Sequence, residues 1–207
     1  TAFTLLVMAI SPAFWLSIST LVFSVLVVLS LLWYTFKTGI SPMPSSARFR
    51  GVVAAELKKT GKEAVIDLGS GWGGLVVDVA ARYPERRVIG YELSPVPWFV
   101  SVVRKKLRRL PNLVLYRRDF LKEELPAGTI LICYLFGGWM ERLERKLVTK
   151  IISSPDSKYF LPAYLVLSNT FAFPRIKPDQ VYKLNDMYNT PVYLYKITSA
   201  HFTLLET

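Results

Sequence analysis

The chain has 207 residues, 52% of them apolar, and every charged side chain lies at or beyond Lys37. The 26 basic and 15 acidic residues leave a net charge of +11, and in the last 171 positions they reach the charged fraction of an ordinary globular domain. This composition excludes disorder, collagen and coiled coil. A single cysteine (Cys133) and a single histidine (His201) exclude a disulfide scaffold and a structural zinc site.

The first element is apolar. Residues 13–36 read AFWLSISTLVFSVLVVLSLLWYTF, a run without charge that is long enough to cross a bilayer as one helix. Trp33, Tyr34 and Phe36 stand at its end, where an aromatic belt belongs, and Lys37, Arg48, Arg50, Lys58 and Lys59 follow. The basic excess predicts a cytoplasmic location for what comes next, or the matrix side in a mitochondrion. A signal peptide would need a basic start, a shorter core and a small-residue cleavage site. A buried core helix of this length would show a polar face. The expected organisation is a membrane segment over residues 1–36, a linker over 37–44 and a soluble domain over 45–207.

In that domain, Ser45 or Ser46 predicts the cap of a helix reaching about Lys59, with Phe49, Val52, Val53 and Leu57 inward. Strands are predicted at 64–68, 87–92, 113–117, 129–136, 164–171, 192–198 and 202–205. Helices are predicted at 74–83, 95–109 and 139–152. The helix at 95–109 has an apolar stripe of Val96, Phe99, Val100, Val103 and Leu107, expected to be its packing face. The helix at 139–152 has Met140, Leu143, Leu147 and Ile151 inward. Strands alternating with helices predict an α/β domain, a parallel sheet covered on both faces.

The first strand runs into Asp67-Leu68-Gly69-Ser70-Gly71-Trp72-Gly73. Glycines at a strand-to-helix turn let the backbone bend sharply and approach a ligand. Glu92 ends the second strand, 25 residues after Asp67, where a carboxylate can accept bonds from ribose hydroxyls. Asp119 and Phe120 follow the third strand, placed to take an adenine amine and pack on its ring. In order, these features resemble the class I S-adenosylmethionine-dependent methyltransferases. The resemblance implies a Rossmann-like fold with a mostly parallel sheet, and a cofactor site of Asp67, Gly69, Ser70, Gly71, Gly73, Glu92, Leu93, Asp119 and Phe120. The glycine spacing differs from the dinucleotide fingerprint.

Further stretches narrow the resemblance: Ser41-Pro42-Met43-Pro44-Ser45, Gly90-Tyr91-Glu92-Leu93-Ser94-Pro95, Met140-Glu141-Arg142-Leu143 with Lys146-Leu147, and Phe171-Ala172-Phe173-Pro174. With the apolar helix, they resemble the membrane-anchored lysine N-methyltransferases that modify the ATP synthase c-subunit and the adenine nucleotide translocase, together with their prokaryotic relatives. The family usually reads G-S-G-D-G-R at the loop, where this chain has Trp72 and Gly74 in place of Asp and Arg. The resemblance implies a membrane-protein lysine as substrate.

Methyl transfer from a sulfonium needs the nucleophile held in line with the methyl carbon. An amine acceptor must also be neutral, and a desolvated aromatic channel lowers its pKa. Tyr134, Phe136 and Trp139, after the fourth strand, are the candidates for such a channel, and ordinary core aromatics are the rival reading. Glu141 could position an amine, but Arg145 one turn on makes a surface ion pair the commoner outcome. No general base stands out. Base methylation at an exocyclic amine would want D/N-P-P-Y/F after strand four, and Tyr134-Leu135-Phe136-Gly137 is not that. Cys133 follows Ile132, not proline, and is expected to be buried and inert. The alternatives kept open are a methyltransferase of small molecules or lipid head groups, and a non-catalytic cofactor-binding membrane module. The basic cluster Arg104, Lys105, Lys106, Arg108 and Arg109 is expected opposite the apolar stripe of its helix, as a solvated face or facing an anionic leaflet. Nucleic acid is the less economical partner, because no RNA-binding appendage is visible.

Overall fold

The computed structural model describes residues 12–38, 45–152 and 163–198. Much of the predicted linker, the strand expected at 202–205 and His201 lie outside these residues. The chain divides into two compact units, Thr1–Gly39 and Ile40–Thr207.

The first unit is helix α1, Pro12–Thr38. Its segment Pro12–Phe36 has a mean hydropathy of 2.3 over its most apolar stretch, and is long and apolar enough to cross a membrane. Three of its hydroxyls bond within the helix: Ser17 to the Ala13 carbonyl (2.9 Å), Thr20 to Leu16 (2.8 Å) and Ser24 to Thr20 (2.8 Å). These bonds satisfy polar atoms that hydrocarbon could not.

The second unit is a seven-stranded sheet in the order β3-β2-β1-β4-β5-β7-β6. Its strands are β1 (Val65–Leu68), β2 (Val88–Tyr91), β3 (Leu113–Tyr116), β4 (Thr129–Cys133), β5 (Tyr164–Asn169), β6 (Gln180–Lys183) and β7 (Pro191–Ile197). The first five are mutually parallel; β7 runs antiparallel to β5 and to β6. All residues of β1, β2 and β4 are buried, as strands covered on both faces must be, the acidic Asp67 among them. Alternation divides the core. Val65, Val88, Ile130 and Ile132 join α2 (Ala47–Leu57) and α3 (Gly74–Arg82) on one face. Ile66, Leu68, Ile89 and Leu131 join α5 (Gly137–Ile152) on the other.

Helix α2 begins where the Ser46 hydroxyl accepts the Phe49 N–H (3.1 Å). It buries Phe49, Val53 and Leu57, one per turn. At its far end the buried Arg86 guanidinium donates to the carbonyls of Leu57 (2.7 Å) and Thr60 (3.1 Å), tying down the turn that ends the helix. Helix α5 buries Met140, Leu143, Leu147 and Ile151, the stripe read from sequence.

Helix α4 (Pro95–Arg108) departs from expectation. It packs against α3 and β3, and its buried residues are Pro97 and Ser101. Phe99, Val103 and Leu107, expected inside, are exposed. Arg104 and Lys106 flank that outward stripe, whereas Lys105 and Arg108 lie on the opposite side of the helix, as expected. The cause is space: a Cβ on Gly73 would lie 2.5 Å from the Ser101 Cβ, so only a small-residue face fits against the glycine loop. Strand β6 was not expected. Three of its four residues are exposed and one is half-buried, so it carries no alternation to read.

Candidate functional site

The strand order reverses direction between β1 and β4, and ligands of such sheets bind outside the C-terminal strand ends at that point. The predicted residues converge there. After β1 the backbone turns through Gly69, Gly71 and Gly73, with φ of 90°, 52° and 75°. These left-handed conformations suit glycine at low cost. The N–H groups of Gly69 and Ser70 both donate to the Tyr91 carbonyl (2.9 and 2.8 Å), which ties the loop to the end of β2.

Glu92 joins two elements. One carboxylate oxygen accepts the Gly71 N–H at 2.8 Å, and the other accepts the Ser94 N–H at 2.7 Å. Ser94 is the N-cap of α4 and makes no side-chain cap bond; the Glu92 carboxylate instead holds the backbone N–H of Ser94 itself. Each oxygen keeps a lone pair for a further donor. Asp67 is buried in β1, and burial, reinforced by the charge of Glu92, pushes its pKa up to about 7. The pair forms an acidic floor suited to a cationic ligand. Leu93 is half-buried between Glu92 and Ser94. The Ser70 hydroxyl is buried without a hydrogen-bond partner, close to Gly90, where a Cβ would lie 2.9 Å from it.

Asp119 is half-buried just beyond β3 and accepts the Leu121 N–H at 3.0 Å. Phe120 is buried against Trp139, their ring centres 5.9 Å apart. Trp139 is covered in turn by the Arg142 guanidinium, 5.4 Å from its ring centre. Tyr134 and Phe136 meet a different ring, Phe171, at 5.9 and 6.1 Å. The three aromatic candidates therefore fall into two groups, with Trp139 backing the loop after β3. Phe171 was not among the aromatic candidates, although its sequence neighbourhood carried the resemblance. It is brought back by a turn at Thr170, whose φ of 69° is rare for a β-branched residue.

Helix α5 fixes both loops. The Glu144 carboxylate, itself buried, accepts the N–H groups of Arg175 (2.9 Å) and Ile176 (2.8 Å) after β5. The Lys146 ammonium donates to the carbonyls of Leu121 (2.8 Å) and Glu123 (2.5 Å) after β3. Its desolvation lowers its pKa. Sequence reading passed over both roles, because a charged residue on an amphipathic helix carries no sign of the loop it will hold. Glu141 pairs with Arg145 at 2.8 Å, the surface pair expected. Cys133 is buried, with its thiol pushed up to about 12 by desolvation, and is inert as a nucleophile.

The arrangement fits a nucleoside-bearing cation. A Cβ on Gly71 would meet nothing within 4 Å, so the backbone there faces open space beside Glu92. Carboxylates stand at the ends of β1, β2 and β3 along one edge. When bound there, S-adenosylmethionine supplies a methyl group on a sulfonium, and the protein's part is alignment and water exclusion.

Solved structures agree on the fold. An RNA methyltransferase from Salinibacter ruber, in complex with S-adenosyl-L-homocysteine, superposes with a TM-score of 0.59 at 22% identity, covering 76% of this chain and 95% of that one. A putative methyltransferase, yhhF, from Escherichia coli gives 0.57 at 14% identity, covering 76% and 89%. A predicted N6-adenine-specific DNA methylase from Listeria monocytogenes gives 0.51 at 12%, covering 70% and 50%. No curated protein matches the chain. The family model of the ANTKMT methyltransferase domain matches residues 67–180, from the acid of the glycine loop to the start of β6 and more than half of the chain. The chain therefore belongs to the ANTKMT methyltransferase domain family and is an S-adenosylmethionine-dependent methyltransferase.

Proposed function

We propose that the chain methylates a lysine amine on a membrane protein while α1 holds it to the bilayer, with the catalytic domain on the cytoplasmic side or its mitochondrial equivalent. The observation that carries the acceptor reading is the aromatic wall of Tyr134, Phe136 and Phe171, built after β4 and β5, β4 being paired with the strand that leads into the glycine cradle. In this reading Glu92 binds the ribose hydroxyls and Asp119 the adenine amine. Gly69, Ser70, Gly71 and Gly73 shape the cradle, Asp67 supplies charge beneath it, and Leu93 and Phe120 complete its apolar lining. Tyr134 and Phe136 line the acceptor channel, with Phe171 in the position first assigned to Trp139.

Aromatic walls serve an amine acceptor twice. They disfavour the charged ammonium before transfer by desolvation, and their faces hold the alkylammonium product. No side chain is assigned as a base; a lysine that enters neutral needs none before transfer. The apolar segment Pro12–Phe36 and the family match both support a substrate at the membrane.

The test is to incubate the full-length chain with methyl-labelled S-adenosylmethionine and native membranes, then identify labelled residues by mass spectrometry. Methyllysine in a membrane protein is expected, with label falling at least tenfold in a Glu92→Ala variant. Label confined to lipid or to a small molecule would replace the lysine reading by the alternative acceptor.

A further inference from the structure

Helix α4 turns its large apolar residues away from the domain. Phe99, Val103 and Leu107 follow one another at four-residue spacing and are 61%, 39% and 77% exposed. At about 100° per residue they form one ridge along the helix. Val96 and Val100, half-buried, lie on the same side. Arg104 and Lys106 stand on opposite flanks of this ridge, and Arg109 caps the helix at its C-terminal end, while Arg108 lies on the inner side with Ser101. The helix C-terminus favours basic residues through its dipole, which accounts for the charges but not for an outward ridge.

The charges have few acidic neighbours. Among the described residues, one carboxylate pairs with a base of this helix: Asp78, 3.9 Å from Arg108 and also bonded to Arg50. Arg104 donates to the Trp72 carbonyl at 3.1 Å, a neutral acceptor. An exposed apolar ridge between basic flanks is the surface that a helix presents when it lies in the plane of a bilayer interface. Its long basic stems can follow the apolar surface while their heads stay at lipid phosphates.

We propose that α4 is an interfacial helix, its ridge of Phe99, Val103 and Leu107 entering the headgroup boundary of an anionic leaflet while Arg104, Lys106 and Arg109 engage lipid phosphates. The inference rests on the reading that α1 brings the chain to a membrane. Nucleic acid would use the charges but leave Val103 and Leu107 in water, so the bilayer is the occupant that uses the whole surface. There is a consequence for the site. The same helix starts at Ser94, whose N–H is held by Glu92, and its inner face touches Gly73. A bilayer that holds the ridge sets the depth of the cofactor cradle, and with it the height at which an acceptor lysine can enter.

The test uses the full-length chain in lipid nanodiscs, with an environment-sensitive fluorophore on Leu107→Cys and, separately, on Met187→Cys. The native Cys133 is buried and does not compete for the label. Met187, 88% exposed in the β6–β7 turn, is the control. In discs containing phosphatidylserine, the Leu107 label should shift to the blue and be quenched several-fold more than the Met187 label by lipids carrying a quencher near the headgroup. Pure phosphatidylcholine should weaken the effect, as should Arg104→Glu with Lys106→Glu. Water-like emission at Leu107 in anionic discs overturns the proposal, and so does a label that responds to single-stranded RNA but not to lipid. The two readings separate cleanly: failure of the chain to stay in phosphatidylcholine discs contradicts the span, whereas retention there with a water-exposed Leu107 label in anionic discs contradicts the ridge.

Discussion

Helices α4 and α5 are both amphipathic, both basic in their last turn, and both follow a strand of the same sheet. The domain uses them in opposite ways. Helix α5 lays Met140, Leu143, Leu147 and Ile151 into the core, whereas α4 docks through Pro97 and Ser101 and leaves its apolar ridge outside. Periodicity locates an apolar face but does not say what covers that face. The choice at α4 is made by its neighbour: a backbone loop pressed against the helix admits small side chains only.

The largest expected contrast is in stability. Truncation of fully buried Leu147 to Ala should cost about 2–4 kcal/mol, the range for a leucine deleted from a packed core. Chemical denaturation in detergent would show this. A cost below about 1 kcal/mol would mean that the stripe of α5 is not the packed face.

Enlarging the inner face of α4 comes next. Ser101→Leu has no room beside Gly73 and should cost about 1–3 kcal/mol through overpacking. The displaced glycine loop should also bind S-adenosylhomocysteine more weakly. Normal affinity with normal stability would contradict the tight fit.

A pH experiment examines the cradle that α4 supports. Asp67 has a folded pKa of about 7 against an ordinary 3.8, so the folded chain keeps a proton that the unfolded chain releases between those values. Its contribution to stability is therefore lost as pH rises from about 4 through about 7, and the loss is complete above that. Cofactor affinity should move the other way, because a cationic ligand prefers the ionised carboxylate. Asp67→Asn should flatten both dependences and raise unliganded stability at pH about 8 by roughly 1–2 kcal/mol. An unaltered slope in that variant would assign the proton elsewhere.

The smallest effect is expected on the outer face. Leu107→Ser should change stability by less than about 0.5 kcal/mol, because the side chain is 77% exposed. Thermal melts of this variant beside Leu147→Ala make the comparison direct. A large loss would show that the ridge is covered within the molecule.

Most of the fold could be read from the sequence because its parallel strands are buried on both faces and its caps are local. Val65–Leu68 and Val88–Tyr91 stand out as short apolar runs between turn residues. The cradle was legible for the same reason: glycines, Glu92 and Asp119 fall at strand ends that sequence alone locates. Long-range features were not. Phe171 reaches Tyr134 and Phe136 only through sheet pairing and the turn at Thr170. Trp139, close to Phe136 in sequence, belongs instead with Phe120. The docking of α4 rests on Pro97 and Ser101, whose small size gives no hydropathy signal.

The most direct test is calorimetric titration of S-adenosylhomocysteine into the full-length protein and into Glu92→Ala. Glu92 binds both the glycine loop and the first turn of α4, and its remaining lone pairs are the ones assigned to ribose. The wild type should bind, and the variant should lose about 1.5–3 kcal/mol of affinity, the worth of hydrogen bonds to a charged group. Equal affinity in the two proteins, or no heat from the wild type at saturating ligand, would contradict the account of the site.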